Sequence, residues 1–198
     1  MTTAPSSHQY WSTYLHAWES QVYASPYQPE FCDWAFPYFR NQDRYNPVHL
    51  ATPNAVPIAE NPVPDFPAVD VMMTHGPPMG IRDETRRDEH VGCKHLLRAS
   101  WRCRPRLHCF GHIHEGWGAE RVRWSEDGES HVEGAEWIEV DEAKMVEEGA
   151  AFLDVSRDGE RALIFGEETL MVNASIMTVR YKPHQGPWVV DLDLEKDG

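Results

Sequence analysis

The sequence predicts an α/β fold in which strands deliver histidines to one rim of a sheet, and three observations carry that expectation. The apolar run Val69 to Met73 stops at His75 and the turn residues Gly76-Pro77-Pro78. A second apolar run, Leu107 to Phe110, breaks at Gly111 and presents His112 and His114 two residues apart. Between the two runs, Val91, His95, Leu96, Ala99 and Cys103 mark one face of a helix from about Asp88 to Arg102, closed by Pro105. Strand, helix, strand with a histidine at each strand end is a βαβ unit, and open α/β sheets place their chemistry beyond strand ends.

Taken in order, Met1 to Ser20 holds Tyr10, Trp11, Tyr14, Leu15 and Trp18 at spacings that fit one amphipathic helix. His8 and His16 in that stretch read as surface histidines. Gln21 to Ala24 is expected as a short strand running into the Pro-punctuated turn Ser25 to Pro29. Phe31, Trp34, Phe36, Tyr38 and Phe39 form a dense aromatic cluster, which either shapes a substrate wall or, the preferred reading, fills core under a long loop. Six prolines between Pro47 and Pro67 exclude a helix interior or a central strand and predict an extended connector.

Beyond the two histidine-bearing strands, the chain turns acidic. Residues 119–168 carry 16 Asp and Glu against 5 Lys and Arg. Val122 with Trp124, and Trp137 with Ile138 and Val140, suggest short strands there; Ala150 to Val155 and Ala162 to Phe165 are weaker candidates. The segment as a whole reads as a solvated loop rather than a binding element. Thr169 to Ala174 and Trp188 to Leu194 are expected as closing strands, before a polar tail.

Composition narrows the function classes. A net charge of −14 is unfavourable for nucleic-acid backbones and anionic membranes, although most of it sits in residues 119–168. No apolar run approaches the length of a membrane span, and the first residues lack the pattern of a signal peptide, so a cytoplasmic protein is expected. Cys32, Cys93, Cys103 and Cys109 form no C-x-x-C pair, which points to free thiols rather than a thiolate zinc site.

If the backbone stays extended through Ile113, His112 and His114 leave on the same side of the chain. Converging neutral imidazoles past a strand end make half of a metal site. Hydrogen bonding at strand ends accounts for the same histidines equally well.

Five ordered segments break that tie: Ser25-Pro26-Tyr27-Gln28-Pro29, Thr74 to Pro78, Gly92-Cys93-Lys94-His95-Leu96-Leu97, Phe110 to Glu115, and Val172 to Ser175. Together they resemble the calcineurin-like metallophosphoesterases, in particular the metallophosphoesterase-domain-containing branch. The resemblance implies an α/β/β/α sandwich of two mixed sheets with flanking helices. It also implies a two-metal phosphoester hydrolase using Mn, Fe or Zn, with His75 and His112 on one ion and His114 on the other. The family's Asp-x-His, Gly-Asp-x-x-Asp and Gly-Asn-His motifs find no match here. The chain is therefore expected to be a single partial domain over 1–198, the C-terminal half, with an acidic insertion at 119–168 and at most one metal. Asp83 and Glu115 remain as neighbours of the site or as solvated charge.

Three readings follow. One is a phosphoester hydrolase, phosphodiesterase or phosphatase, impaired or inactive because half of its ligands are missing, so that no catalytic residue is assigned. Another is a non-catalytic scaffold that binds a protein partner through the acidic segment or the aromatics. A third is a mononuclear metal protein. Self-association through exposed sheet edges is expected of a partial domain.

Overall fold

The structure, a computed structural model, describes residues 20–128 and 130–194. The expected N-terminal helix, with His8 and His16, and the polar tail from Glu195 lie outside the described residues. In chain order the elements are β1 (Val22–Ser25), β2 (Gln28–Pro29), β3 (Pro37–Tyr38), β4 (Gln42–Asp43), β5 (Val56–Pro57), β6 (Val71–Thr74), α1 (Lys94–Cys103) and β7 (Leu107–Phe110). They continue as β8 (Gly118–Trp124), β9 (Val132–Ile138), α2 (Glu142–Glu148), β10 (Ala151–Asp154), β11 (Glu168–Asn173) and β12 (Trp188–Asp191).

Six strands form one mixed sheet in the order β1-β6-β7-β11-β8-β9. β1, β6, β7 and β11 run parallel, so their C-terminal residues Ser25, Thr74, Phe110 and Asn173 share one rim. β8 and β9 add on antiparallel. On one face, Tyr23 and Met72 pack beneath Leu96, Ala99 and Cys103 of α1, and His108 is buried beside Ser100. On the other, Leu170, Val172 and Ala119 pack against Leu153 and Val190 of the parallel β10–β12 pair, and α2 packs on β10. The layers are a helix, a mixed sheet, a second small sheet and a second helix, as the α/β sandwich expectation requires.

α1 starts six residues later than its periodicity predicts. Gly92 N–H donates to the buried Asp83 carboxylate at 2.8 Å, and Cys93 N–H donates to Pro77 O at 3.0 Å. Those donors would otherwise face the first turn of a helix begun at Asp88. At Gly92 there is no room for a side chain, because a Cβ would meet Pro78 O at 2.4 Å. The helix then opens on Cys93, whose sulfur accepts from Leu96 N–H, and closes at Arg104 in the left-handed region (φ 47°) before Pro105.

Two further expectations are corrected. Residues 119–168 are not a solvated loop. β8 alternates outward Arg121 and Arg123 with buried Val122 and Trp124, and α2 is capped by Asp141 and stopped by Gly149 at φ 76°. Ala162 to Phe165 is the exception and forms no strand. The aromatic cluster does not fill core either. Tyr38 is buried, with its hydroxyl on Cys93 Sγ at 3.1 Å, whereas Phe31, Trp34, Phe36 and Phe39 are 42–60% exposed. Cys32, Asp33 and Phe36 adopt positive φ (50°, 53° and 58°), which folds this stretch into an outward loop instead of a packed element. The four cysteines are all free; Cys93 and Cys103 are buried.

Candidate functional site

The rim at the ends of the parallel strands is built by backbone ties between neighbours. His75 N–H donates to Ser25 O at 3.1 Å, Gly111 N–H to His75 O at 3.0 Å, and Ala174 N–H to Phe110 O at 2.7 Å. Beneath the rim, His108 bridges Thr74 Oγ1 (2.9 Å) and Ser100 Oγ (3.2 Å), and Thr74 donates to Gly76 O. Complete burial drives the His108 pKa down to about 3, so this imidazole is a neutral structural link.

His75 and His112 meet above that floor, with His75 Nε2 and His112 Nδ1 3.0 Å apart and sharing a proton. Phe31 and Trp34 stand edge-on to the His112 ring, at centroid distances of 6.1 and 5.6 Å. Burial lowers the pKa of His75. Burial, with the neighbouring His75, His114 and Arg40, lowers that of His112 to about 4. Both rings are therefore uncharged at neutral pH, the form in which imidazole ligates a metal.

His114 does not join them. The extended backbone expected through Ile113 is interrupted: His112 has φ 70°, and Ile113 N–H turns back to Gly111 O at 2.8 Å. That three-residue turn sends the two side chains apart. His114 Nδ1 instead bonds Thr178 O at 3.1 Å, and its ring packs against Tyr181. His112 and His114 thus border one cleft of about 590 Å³, with His75 paired to His112 on one side and His114 held on the other.

Away from Phe31 and Trp34, the loops that carry the cleft are fixed from behind by three polar side chains that sequence reasoning missed or misplaced, Asp83 and Asn173 buried and Arg82 half-buried. Asp83 is fully buried and accepts from Gly80 N–H, Gly92 N–H and His90 Nδ1 (2.9, 2.8 and 2.7 Å). It is a loop anchor, neither solvated charge nor a metal neighbour. Asn173 donates to Arg82 O (3.1 Å) and Ile113 O (2.8 Å) and accepts from Ser175 N–H, clamping the peptide between His112 and His114. Arg82 donates to Gly116 O and Trp117 O, stacks 4.4 Å over Trp137, and faces Glu120 at 3.9 Å. Its guanidinium occupies the space a Cβ at Gly118 would need, 1.8 Å away. Asn173 was legible only as a letter in Val-Asn-Ala-Ser, and Arg82 carried no signal. Glu115 is exposed at the cleft.

Two imidazole nitrogens on one ion stand roughly 3.0–3.4 Å apart for metal–nitrogen bonds of about 2.1 Å. The His75–His112 separation suits two corners of such a polyhedron once the donor ring takes its other tautomer and its proton sits on the far nitrogen. Among the described residues no three His, Cys, Asp or Glu side chains gather closely enough to complete one. The donor set fits part of one ion's shell and does not fit a pair of ions.

The chain is 32% identical to Metallophosphoesterase domain-containing protein 1 of Homo sapiens over 179 residues, which are 89% of this chain and 37% of that protein. The Mus musculus protein of the same name gives the same figures. A UPF0046 protein of Caenorhabditis elegans is 38% identical over 99 residues, covering 49% of this chain and 21% of that protein. The chain thus spans little more than a third of the length of the human and mouse proteins. No family model matches it. No helix among the described residues is long and apolar enough to cross a membrane.

Proposed function

Because the chain belongs to the metallophosphoesterase branch, we propose that its cleft takes a phosphoester and that His75 and His112 hold one divalent cation there. The observation that carries this reading is the neutral, hydrogen-bonded imidazole pair at the strand rim. When bound, Mn, Fe or Zn would polarise a phosphoryl oxygen as a Lewis acid. The rest falls to the chain itself. Arg40, Arg86 and Arg87 line the cleft against Glu89 and Glu115, so an anion is favoured. Phe31 and Trp34 hold the His112 ring edge-on and keep water from one side of it. Asn173 fixes the turn that aims it.

The same donor set limits turnover. Two-metal hydrolysis needs a second ion and a carboxylate between the pair to bring the ions close. Among the described residues no carboxylate joins His75 and His112 in a metal-binding group. By this reading the chain alone is an impaired hydrolase. The test is Mn²⁺-dependent hydrolysis of bis(p-nitrophenyl) phosphate by the purified 198-residue protein. The expected rate is that of Mn²⁺ alone, unchanged by His112→Ala. Robust turnover that His75→Ala or His112→Ala abolishes would overturn the impairment and show a complete site.

One observation favours a second reading, a scaffold that binds a protein partner. Phe31, Trp34, Phe36 and Phe39 leave an exposed aromatic surface beside the cleft. A chain that binds neither Mn²⁺ nor inorganic phosphate would favour the scaffold over the metal site.

A further inference from the structure

The six-stranded sheet ends on β9, and that end is open. β9 pairs with β8 on one side and, among the described residues, with no strand on the other. In an antiparallel pair every second residue turns its N–H and C=O away from the partner strand. Along residues 133–137 no backbone hydrogen bond comes from any other described element, and all five residues are exposed. Seven residues at about 3.4 Å each make an edge roughly 24 Å long. Sheets blunt such edges with Pro, with Lys or with a bulge that twists the strand away. Val132–Ile138 contains neither Pro nor Lys, and its register irregularity sits at the Val132 end, opposite Arg123 and Trp124.

A pocket of about 480 Å³ borders this edge. β8 turns Glu120 and Val122 toward the α1 side of the sheet, and their partners on β9, Trp137 and Ala135, line the pocket there. Trp137 is 67% exposed although Arg82 stacks 4.4 Å over its ring. The pocket is acidic. Glu84, Asp88, Glu115 and Glu120 meet Arg82 and Arg86 in it, and Arg82 is already held by two backbone carbonyls and faces Glu120. It is distinct from the histidine cleft. The hairpin closed by the Glu84–His90 bridge gives Asp88 and His90 to this pocket and Arg87 and Glu89 to the cleft.

We infer that β9 takes an extended basic segment of a partner protein as an added strand, with a Lys or Arg of that segment seated in the Trp137 pocket. Main-chain hydrogen bonds to the free edge supply the pairing, and a pocket for alternate side chains supplies the selection. The carboxylates favour a cation, and an exposed indole face attracts one as well. Charge argues against a second copy of this chain as the occupant. β9 on β9 would put Glu133 and Glu136 of both copies on one ribbon, in a protein of net charge −14. No metal or phosphate takes part, so the phosphoester reading can fail without touching this site.

The probe is a short peptide of alternating Lys and Val, capped at both ends, with a peptide of alternating Glu and Val as its acidic control. Each is added to the full chain, and binding is followed by fluorescence anisotropy and by amide hydrogen exchange. The basic peptide is expected to slow exchange within residues 132–138 about tenfold, and the acidic peptide to leave it unchanged. Glu84→Lys, at an exposed position, and Trp137→Ala are each expected to weaken the basic peptide about fivefold. Where Trp137→Ala lowers the melting temperature, Glu84→Lys alone decides, and an unchanged affinity there overturns the proposal. Binding of the basic peptide without protection of residues 132–138 would overturn it too, as non-specific attraction to an acidic protein. Equal protection by the acidic peptide would do the same. Protection that grows with protein concentration in the absence of peptide would also overturn it, by assigning the edge to a second copy.

Discussion

The two walls of the histidine cleft are built by opposite means. On one side, Asp83, Asn173 and Arg82 sit in or near the interior and tie three loops together through backbone groups. On the other, residues 31–39 present Phe31, Trp34, Phe36 and Phe39 to solvent, with Tyr38 alone turned into the core. The polar wall determines where His112 and His114 point, because the Asn173 amide holds the Ile113 carbonyl between them. The aromatic wall touches the His112 ring but anchors nothing beneath it. Buried polar groups cost stability when a partner is removed, whereas exposed rings cost little. The walls should therefore respond differently to the same kind of change.

The largest effect is expected at Asn173→Ala, which strips the donor from Arg82 O and Ile113 O and the acceptor from Ser175 N–H. A loss of about 3 kcal/mol is expected by urea unfolding; a loss below about 1 kcal/mol would mean that this wall is not held by its polar core. Next comes the pH response of the floor. The His108 pKa of about 3 lies below its unfolded value, so protonation favours the unfolded chain. Its contribution is complete above about pH 6.5 and declines by up to about 1.4 kcal/mol per unit as pH falls toward the folded pKa. His108→Gln should flatten that slope, and an unchanged slope would remove His108 as its source. Asp83→Asn comes third, at about 1–2 kcal/mol, since an amide oxygen in the place of Oδ2 still accepts from both backbone N–H groups and only the charge and the His90 bond are lost. The His90 pKa, raised by its hydrogen bond to Asp83, should fall back toward the ordinary histidine value in an NMR titration of that variant. The smallest effect belongs to the other wall. Phe31→Ala and Trp34→Ala are each expected to stay within about 0.5 kcal/mol of the parent. A larger loss from either would erase the contrast between the walls.

Sequence pattern located what local chemistry determines. Leu107 to Phe110 was bounded by a charged residue and a glycine, and the strand has those limits. The α1 face was legible from its period, but its start was not, because Asp83 captures Gly92 N–H from nine residues upstream. Charge count hid the folded character of residues 119–168. Asp141 and Gly149 bracket a helix there in the usual capping positions, which the charge count hid, whereas the alternation at Val122 and Trp124 suggested a strand and is β8. Aromatic density suggested core at residues 31–39, yet positive φ at three positions turned the rings outward. At the site, the His75–His112 pairing follows from two adjacent parallel strands ending level. The divergence of His114 depends on one turn at His112, which no spacing rule reveals.

The most direct test of the central claim, that the rim assembles two histidine donors and not three, is a calorimetric Mn²⁺ titration of the full chain and its single variants. The account predicts at most one ion bound, weakly, with binding lost in His75→Ala and in His112→Ala but kept in His114→Ala. Two ions bound tightly, or binding that survives His75→Ala and His112→Ala, would contradict it.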